Sequence, residues 1–110
     1  MLRNWFPNPR WKTYAAQTGY VYRYIFEGLR GDEEYVFRAV SGTQMELTVE
    51  VVLNTGVLAD WSKENRPLNQ IEAYGIAKLA LMRALDNEDQ PVRVEPLAEQ
   101  VAEICRELDL

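Results

Sequence analysis

Tyr20, Tyr22, Tyr24 and Phe26 set an aromatic ring at every second position of one short run. Side chains alternate across an extended chain, so these four rings must share one face of a strand. Val21, Arg23, Ile25 and Glu27 take the other face. The chain is therefore committed to a sheet with one aromatic side and one mixed side. Two further runs continue the pattern. Glu34–Val40 places Tyr35, Phe37 and Ala39 together, and Met45–Leu53 places Met45, Leu47, Val49, Val51 and Leu53 together.

The connections set the expected register. Gly28-Leu29-Arg30-Gly31-Asp32 reads as a tight turn between the strands 20–27 and 34–40. It would pair Phe26 with Tyr35 and Tyr24 with Phe37, stacking rings across strands. The same register opposes Arg23 to Arg38 and Glu27 to Glu34, a like-charge arrangement that needs diagonal partners. The second loop must be odd in length, most simply Ser41-Gly42-Thr43, with Gly42 supplying a positive φ. Ala39 would then face Met45, and Phe37 would face Leu47.

Past the strands, residues 57–68 read as a long connection. Asn69-Gln70-Ile71-Glu72 is a capping-box pattern, in which the Asn side chain and the Glu carboxylate each satisfy a free backbone N–H. A helix over about 70–85 follows, rich in alanine and leucine and apolar on almost every side. Such a helix needs more than one surface to bury against. Val92-Arg93-Val94 is a candidate short edge strand. Pro96 opens a last helix carrying Leu97, Val101, Ile104 and Leu108 at helical spacing, with Glu99, Glu103 and Glu107 in an acidic row. At the other end, Asn8-Pro9-Arg10-Trp11 resembles a helix entrance, with Gly19 where a left-handed stop would fall. Residues 1–19 are thus either a short helix or an irregular aromatic arm.

The expected fold is α+β over residues 1–110 as one domain. It is an antiparallel meander of three to four strands, one face covered by the helix at about 70–85. A C-terminal helix and the aromatic N-terminal arm complete it.

Composition excludes several kinds of chemistry. The chain has no histidine, so it can hold neither a Ser-His-Asp arrangement nor a Cys/His zinc site. With one cysteine, Cys105, it has no internal disulfide, and that thiol falls on the apolar side of the last helix as a core residue. No glycine-rich phosphate cradle occurs. No cofactor or metal is implied, and an enzyme is the less expected class. No apolar run is long enough for a signal segment or a membrane span, which makes the cytoplasm the expected compartment.

Charge is unevenly spread. Residues 1–26 carry Arg3, Arg10, Lys12 and Arg23 with no acid, while residues 86–110 carry eight acids against Arg93 and Arg106. Either the two ends meet within one fold or they mediate contact between chains. Nucleic acid is disfavoured because the basic stretch, Arg3 to Tyr24, is short.

Two constellations are candidates for function. Arg23 and Arg38, with Glu46 and Glu50 nearby on the mixed face, could hold an anionic ligand. Trp5, Trp11 and Trp61, together with Leu79 on the apolar helix, could form an interface. The leading expectation is a protein–protein interaction module that self-associates as a homodimer or binds another protein. The alternative is a binder of small anionic molecules, or a modest enzyme, using Arg23, Arg38 and a sheet-face carboxylate.

Overall fold

In the computed structural model, residues 2–6, 9–42, 45–88 and 90–110 are described, Met45 by its backbone alone. The chain runs β1 (Leu2–Arg3), β2 (Lys12–Ala15), β3 (Val21–Arg30), β4 (Glu34–Ser41), β5 (Met45–Val52), α1 (Thr55–Glu64), α2 (Gln70–Asn87), β6 (Arg93–Val94) and α3 (Ala98–Glu107). Among the described residues the sheet has six strands in the order β1-β3-β4-β5-β6, and β2 pairs beside β1 on the same edge of β3. All pairings are antiparallel except β5 with β6. The α+β class and the helix-covered meander are as the alternation implies, with more strands than expected.

The aromatic face is the core. Tyr22, Tyr24, Phe26 and Leu29 of β3 line up with Tyr35, Phe37 and Ala39 of β4, then Leu47, Val49 and Val51 of β5, all buried. Tyr20 lies before the strand and is exposed. Against this face α2 buries Ile76, Ala77, Ala80, Leu81, Met82, Ala84 and Leu85, while α3 contributes Val101, Ile104 and Cys105. Each fully buried large apolar side chain contributes about 1.5–3 kcal/mol. Burial raises the Cys105 thiol pKa, as befits a core residue.

The register differs from the expected one by two residues at both hairpins. Phe26 faces Phe37 and Tyr24 faces Ala39, while Phe37 faces Val49 and Ala39 faces Leu47. A later turn causes the first difference: β3 continues to Arg30, which faces Glu34, so the chain reverses at Gly31 and not at Gly28. Glu27, an extra residue between the pairs Phe26–Phe37 and Gly28–Val36, is a bulge that takes back one residue of that shift and keeps Phe26 opposite Phe37. Gly28 is required at the bulge. Its φ is +147°, and a Cβ there would come within 2.9 Å of the Leu2 Cβ and 3.0 Å of the Arg3 carbonyl oxygen. At the second hairpin Ser41 faces Met45, and Gly42 takes the expected positive φ of 61°. Thr43, the other residue expected in that loop, lies outside the described residues.

Two elements overturn the expectations. Lys12–Ala15 is a strand, not part of a helix; it pairs with Val21–Tyr24, and Gly19 (φ 98°) closes that hairpin. Asn8, the expected cap, lies outside the described residues. The stretch 57–68, read as connection, holds most of α1, whose N-terminus is capped by the Asn54 side chain accepting from the Val57 N–H at 3.1 Å. No residue of α1 is fully buried, although Val57, Leu58 and Trp61 rest on the core. The capping box of α2 forms as expected: Glu72 N–H donates to Asn69 Oδ1 at 2.8 Å and Asn69 N–H donates to Glu72 Oε1 at 3.0 Å. No helix among the described residues is long and apolar enough to cross a membrane.

Candidate anion-binding pocket

The edge of β3 is shared by two short strands, and residues 4–6, after the first of them, lie against the core. Asn4 ties this segment to the bulge, its Nδ2 donating to the Phe26 carbonyl at 2.9 Å. Trp5 and Phe6 then turn inward, where their rings meet Phe26 and Tyr74 at centroid distances of 4.9–6.4 Å. Tyr74 reaches down from the first half of α2 onto Phe26 and Phe37. Phe6, Pro9, Arg10, Lys12, Tyr24, Phe26 and Tyr74 thereby enclose a cleft of about 230 Å³ with an aromatic floor.

Its polar rim is cationic and phenolic. Lys12 stands opposite Tyr24 in the β2–β3 pairing. Lys78, one helical turn beyond Tyr74, is half-buried. Burial pushes the Lys78 pKa below its ordinary 10.5, and the neighbouring Lys12 charge lowers it further. Burial also raises the Tyr24 and Tyr74 pKa values, that of Tyr74 to about 12 with help from Tyr24, so both hydroxyls stay protonated donors. Among the described residues no carboxylate pairs with Arg10, Lys12 or Lys78.

The candidates read from the sequence lie elsewhere. On the outer face, Arg23 faces Val40 and Arg38 faces Ile25, so the opposed arginines of the expected register do not occur. They are still neighbours, because both guanidiniums rest on the Trp11 ring, at 5.3 and 5.1 Å from its centroid. Arg38 also lies 2.7 Å from Glu27 and 3.5 Å from Glu46, although its Nε–H is not aimed at the nearer oxygen. Glu50 belongs to a separate cluster with Arg30, Glu34 and Arg93. The structure therefore brings Arg23, Arg38 and Glu46 together and leaves Glu50 out. Trp5, Trp61 and Leu79 are half-buried against the core, and Trp11 is exposed.

The end of α2 is tied to the β2–β3 hairpin through uncharged donors. Asp86 at the end of α2 accepts from the Tyr14 hydroxyl at 2.7 Å and the Gln17 N–H at 2.9 Å, fixing the β2–β3 turn. The acidic row of α3 is partly neutralised by Arg83, which reaches Glu103 at 3.3 Å and Glu107 at 2.8 Å. A second cleft of about 380 Å³ lies between α2, β6 and α3, but its cations Arg83 and Arg93 already hold carboxylates. No group of three or more cysteine, aspartate or glutamate side chains that could hold a metal ion occurs among the described residues.

Sequence reasoning missed Lys12 and Lys78. Lys12 sat in a segment read as a short helix or an irregular aromatic arm. Lys78 left a signal, as a lone cation in the apolar run from Ala73 to Met82.

Compared with known proteins, the chain matches no family model, and no curated protein or solved structure matches it.

Proposed function

We propose that this protein binds a small anionic molecule with an apolar body in the cleft between β2, β3 and α2. One observation carries the reading: Arg10 and Lys12 line an aromatic-floored cleft beside the phenols of Tyr24 and Tyr74, and among the described residues no carboxylate pairs with either cation. Like charges brought together and partly desolvated raise the energy of the empty protein. A carboxylate or phosphate on the ligand relieves that cost and accepts hydrogen bonds from the same groups. The Phe6, Phe26 and Tyr74 rings would take up an apolar or aromatic remainder.

The anionic-ligand reading made from the sequence thus keeps its chemistry and changes its site. Two contacts within the chain support reading its apolar helix and acidic row without a second copy. The sheet and α3 cover the buried residues of α2, and Arg83 meets the acidic row.

Titration calorimetry with phenylacetate and its neutral analogue phenylacetamide tests the proposal. The carboxylate is expected to bind at least about tenfold more tightly, a difference of about 1.4 kcal/mol. Replacing both Lys12 and Lys78 by methionine should close the gap. Equal affinity of the two compounds for the unaltered protein would remove the proposal.

A further inference from the structure

Arg10, Trp11 and Lys12 divide between the two faces of the sheet. Trp11 lies under the Arg23 and Arg38 guanidiniums on the outer face, while Arg10 and Lys12 both line the cleft. No acid lines the cleft, and neither cation has a carboxylate partner among the described residues. Depth separates charge from ring. Tyr24 and Phe26 are buried at the floor, whereas Arg10 and Lys12 are exposed at the mouth. The Phe6, Phe26 and Tyr74 ring centroids lie 4.9–6.1 Å from one another, so the floor is a packed trio of rings. At about 230 Å³ the cleft falls below the roughly 300–1,000 Å³ of drug-sized sites and suits one ring with one head group.

We infer that the ligand is a free aryl phosphate monoester, seated ring-first on Phe6, Phe26 and Tyr74 with its phosphate between Arg10 and Lys12. The inference rests on the anion-binding reading and narrows it to one head group. A carboxylate would bring a single negative charge to two unpaired cations. A phosphate monoester brings about −1.5 to −2 near pH 7, with three strong acceptor oxygens. Arg10 offers those oxygens a planar fork of N–H donors, and Lys12 offers a compact ammonium. Ring-first seating also separates this ligand from phosphotyrosine in a peptide. There the ring carries the chain opposite its phosphate, where the buried floor of Tyr24 and Phe26 leaves no exit.

Titration calorimetry on the intact protein tests this with phenyl phosphate, phenylacetate, inorganic phosphate and N-acetyl-O-phosphotyrosine amide. At pH 7.5 phenyl phosphate is expected to bind at least about tenfold more tightly than each of the other three. Arg10→Met and Lys12→Met should each reduce its advantage over phenylacetate. Lowering the pH to 5.5 should weaken phenyl phosphate about fourfold, because its second ionisation near pH 6 is crossed, and should leave phenylacetate unchanged. No residue lining the cleft is a carboxylate or a histidine, the side chains that ordinarily titrate near that range. Phenyl phosphate binding no more tightly than phenylacetate, while phenylacetate still outbinds phenylacetamide, would overturn the phosphate assignment and leave the anion site standing. Equal affinity for phenyl phosphate and the phosphotyrosine amide would overturn the ring-first seating. Loss of every preference for an anion over phenylacetamide would overturn this inference and the anion site together.

Discussion

Two pairs of cations flank this sheet, and they are treated differently. On the outer face Arg23 and Arg38 share the Trp11 ring, and Arg38 has Glu27 and Glu46 beside it. At the inner edge the Lys12 charge lowers the Lys78 pKa, and among the described residues no carboxylate pairs with either lysine. The outer pair is finished by the protein's own side chains and stays exposed to screening solvent, where such contacts contribute little. The inner pair is partly desolvated and incomplete. A cluster of like charge is thus not in itself a sign of a site. What matters is whether the fold supplies its counter-charge.

The comparison is broken most severely through its hydrophobic supports. Phe26→Ala removes the ring on which Trp5, Phe6, Tyr35, Phe37 and Tyr74 converge. It should cost about 3–5 kcal/mol in chemical denaturation. Trp11→Ala, on the outer face, should cost only about 1 kcal/mol, the scale of exposed cation–π contacts. Equal losses would mean that the outer face is as much core as the inner one.

A smaller effect differs in sign. Arg38→Met forfeits two ion pairs and should lower stability by up to about 1 kcal/mol. Lys78→Met removes one member of a like-charge pair and should leave stability unchanged or raise it by about half a kcal/mol. Two losses of similar size, read from urea midpoints, would show that Lys78 is compensated after all.

The smallest effect is on pH dependence. Because the Lys78 pKa is lowered in the folded state, the unfolded chain binds more protons between that value and 10.5. Stability should therefore rise with pH across that window. Comparison below pH 10.0 avoids the tyrosines, whose raised pKa values act in the opposite direction above it. Lys78→Met should flatten the rise, and Arg38→Met should leave it in place.

Much of the architecture was legible because alternation is a strong, local signal. Tyr22, Tyr24, Phe26, Tyr35, Phe37 and Val49 all reach the core face they were assigned. The register was not legible, because Gly28, expected in the turn, lies inside β3, where it packs against Leu2 and Arg3 from far away in sequence. The strand Lys12–Ala15 is four residues long, too short for alternation to compete with the accidental helical spacing of Trp11, Tyr14, Ala15 and Thr18. The helix α1 buries no residue fully, so its apolar pattern is thin; the Asn54 cap was its one clear mark. The lysine pair was hidden for a related reason. Lys12 and Lys78 lie on elements joined only by tertiary packing, whereas Arg23 and Arg38 lie on adjacent strands of a readable meander.

Nitrogen-detected NMR of the lysine side chains during a pH titration, with and without phenylacetate, tests the charge account most directly. Lys78 should lose its proton below 10.5 in the free protein and at a higher pH once the carboxylate is bound. A Lys78 signal that titrates at 10.5 and does not move on adding phenylacetate would contradict it.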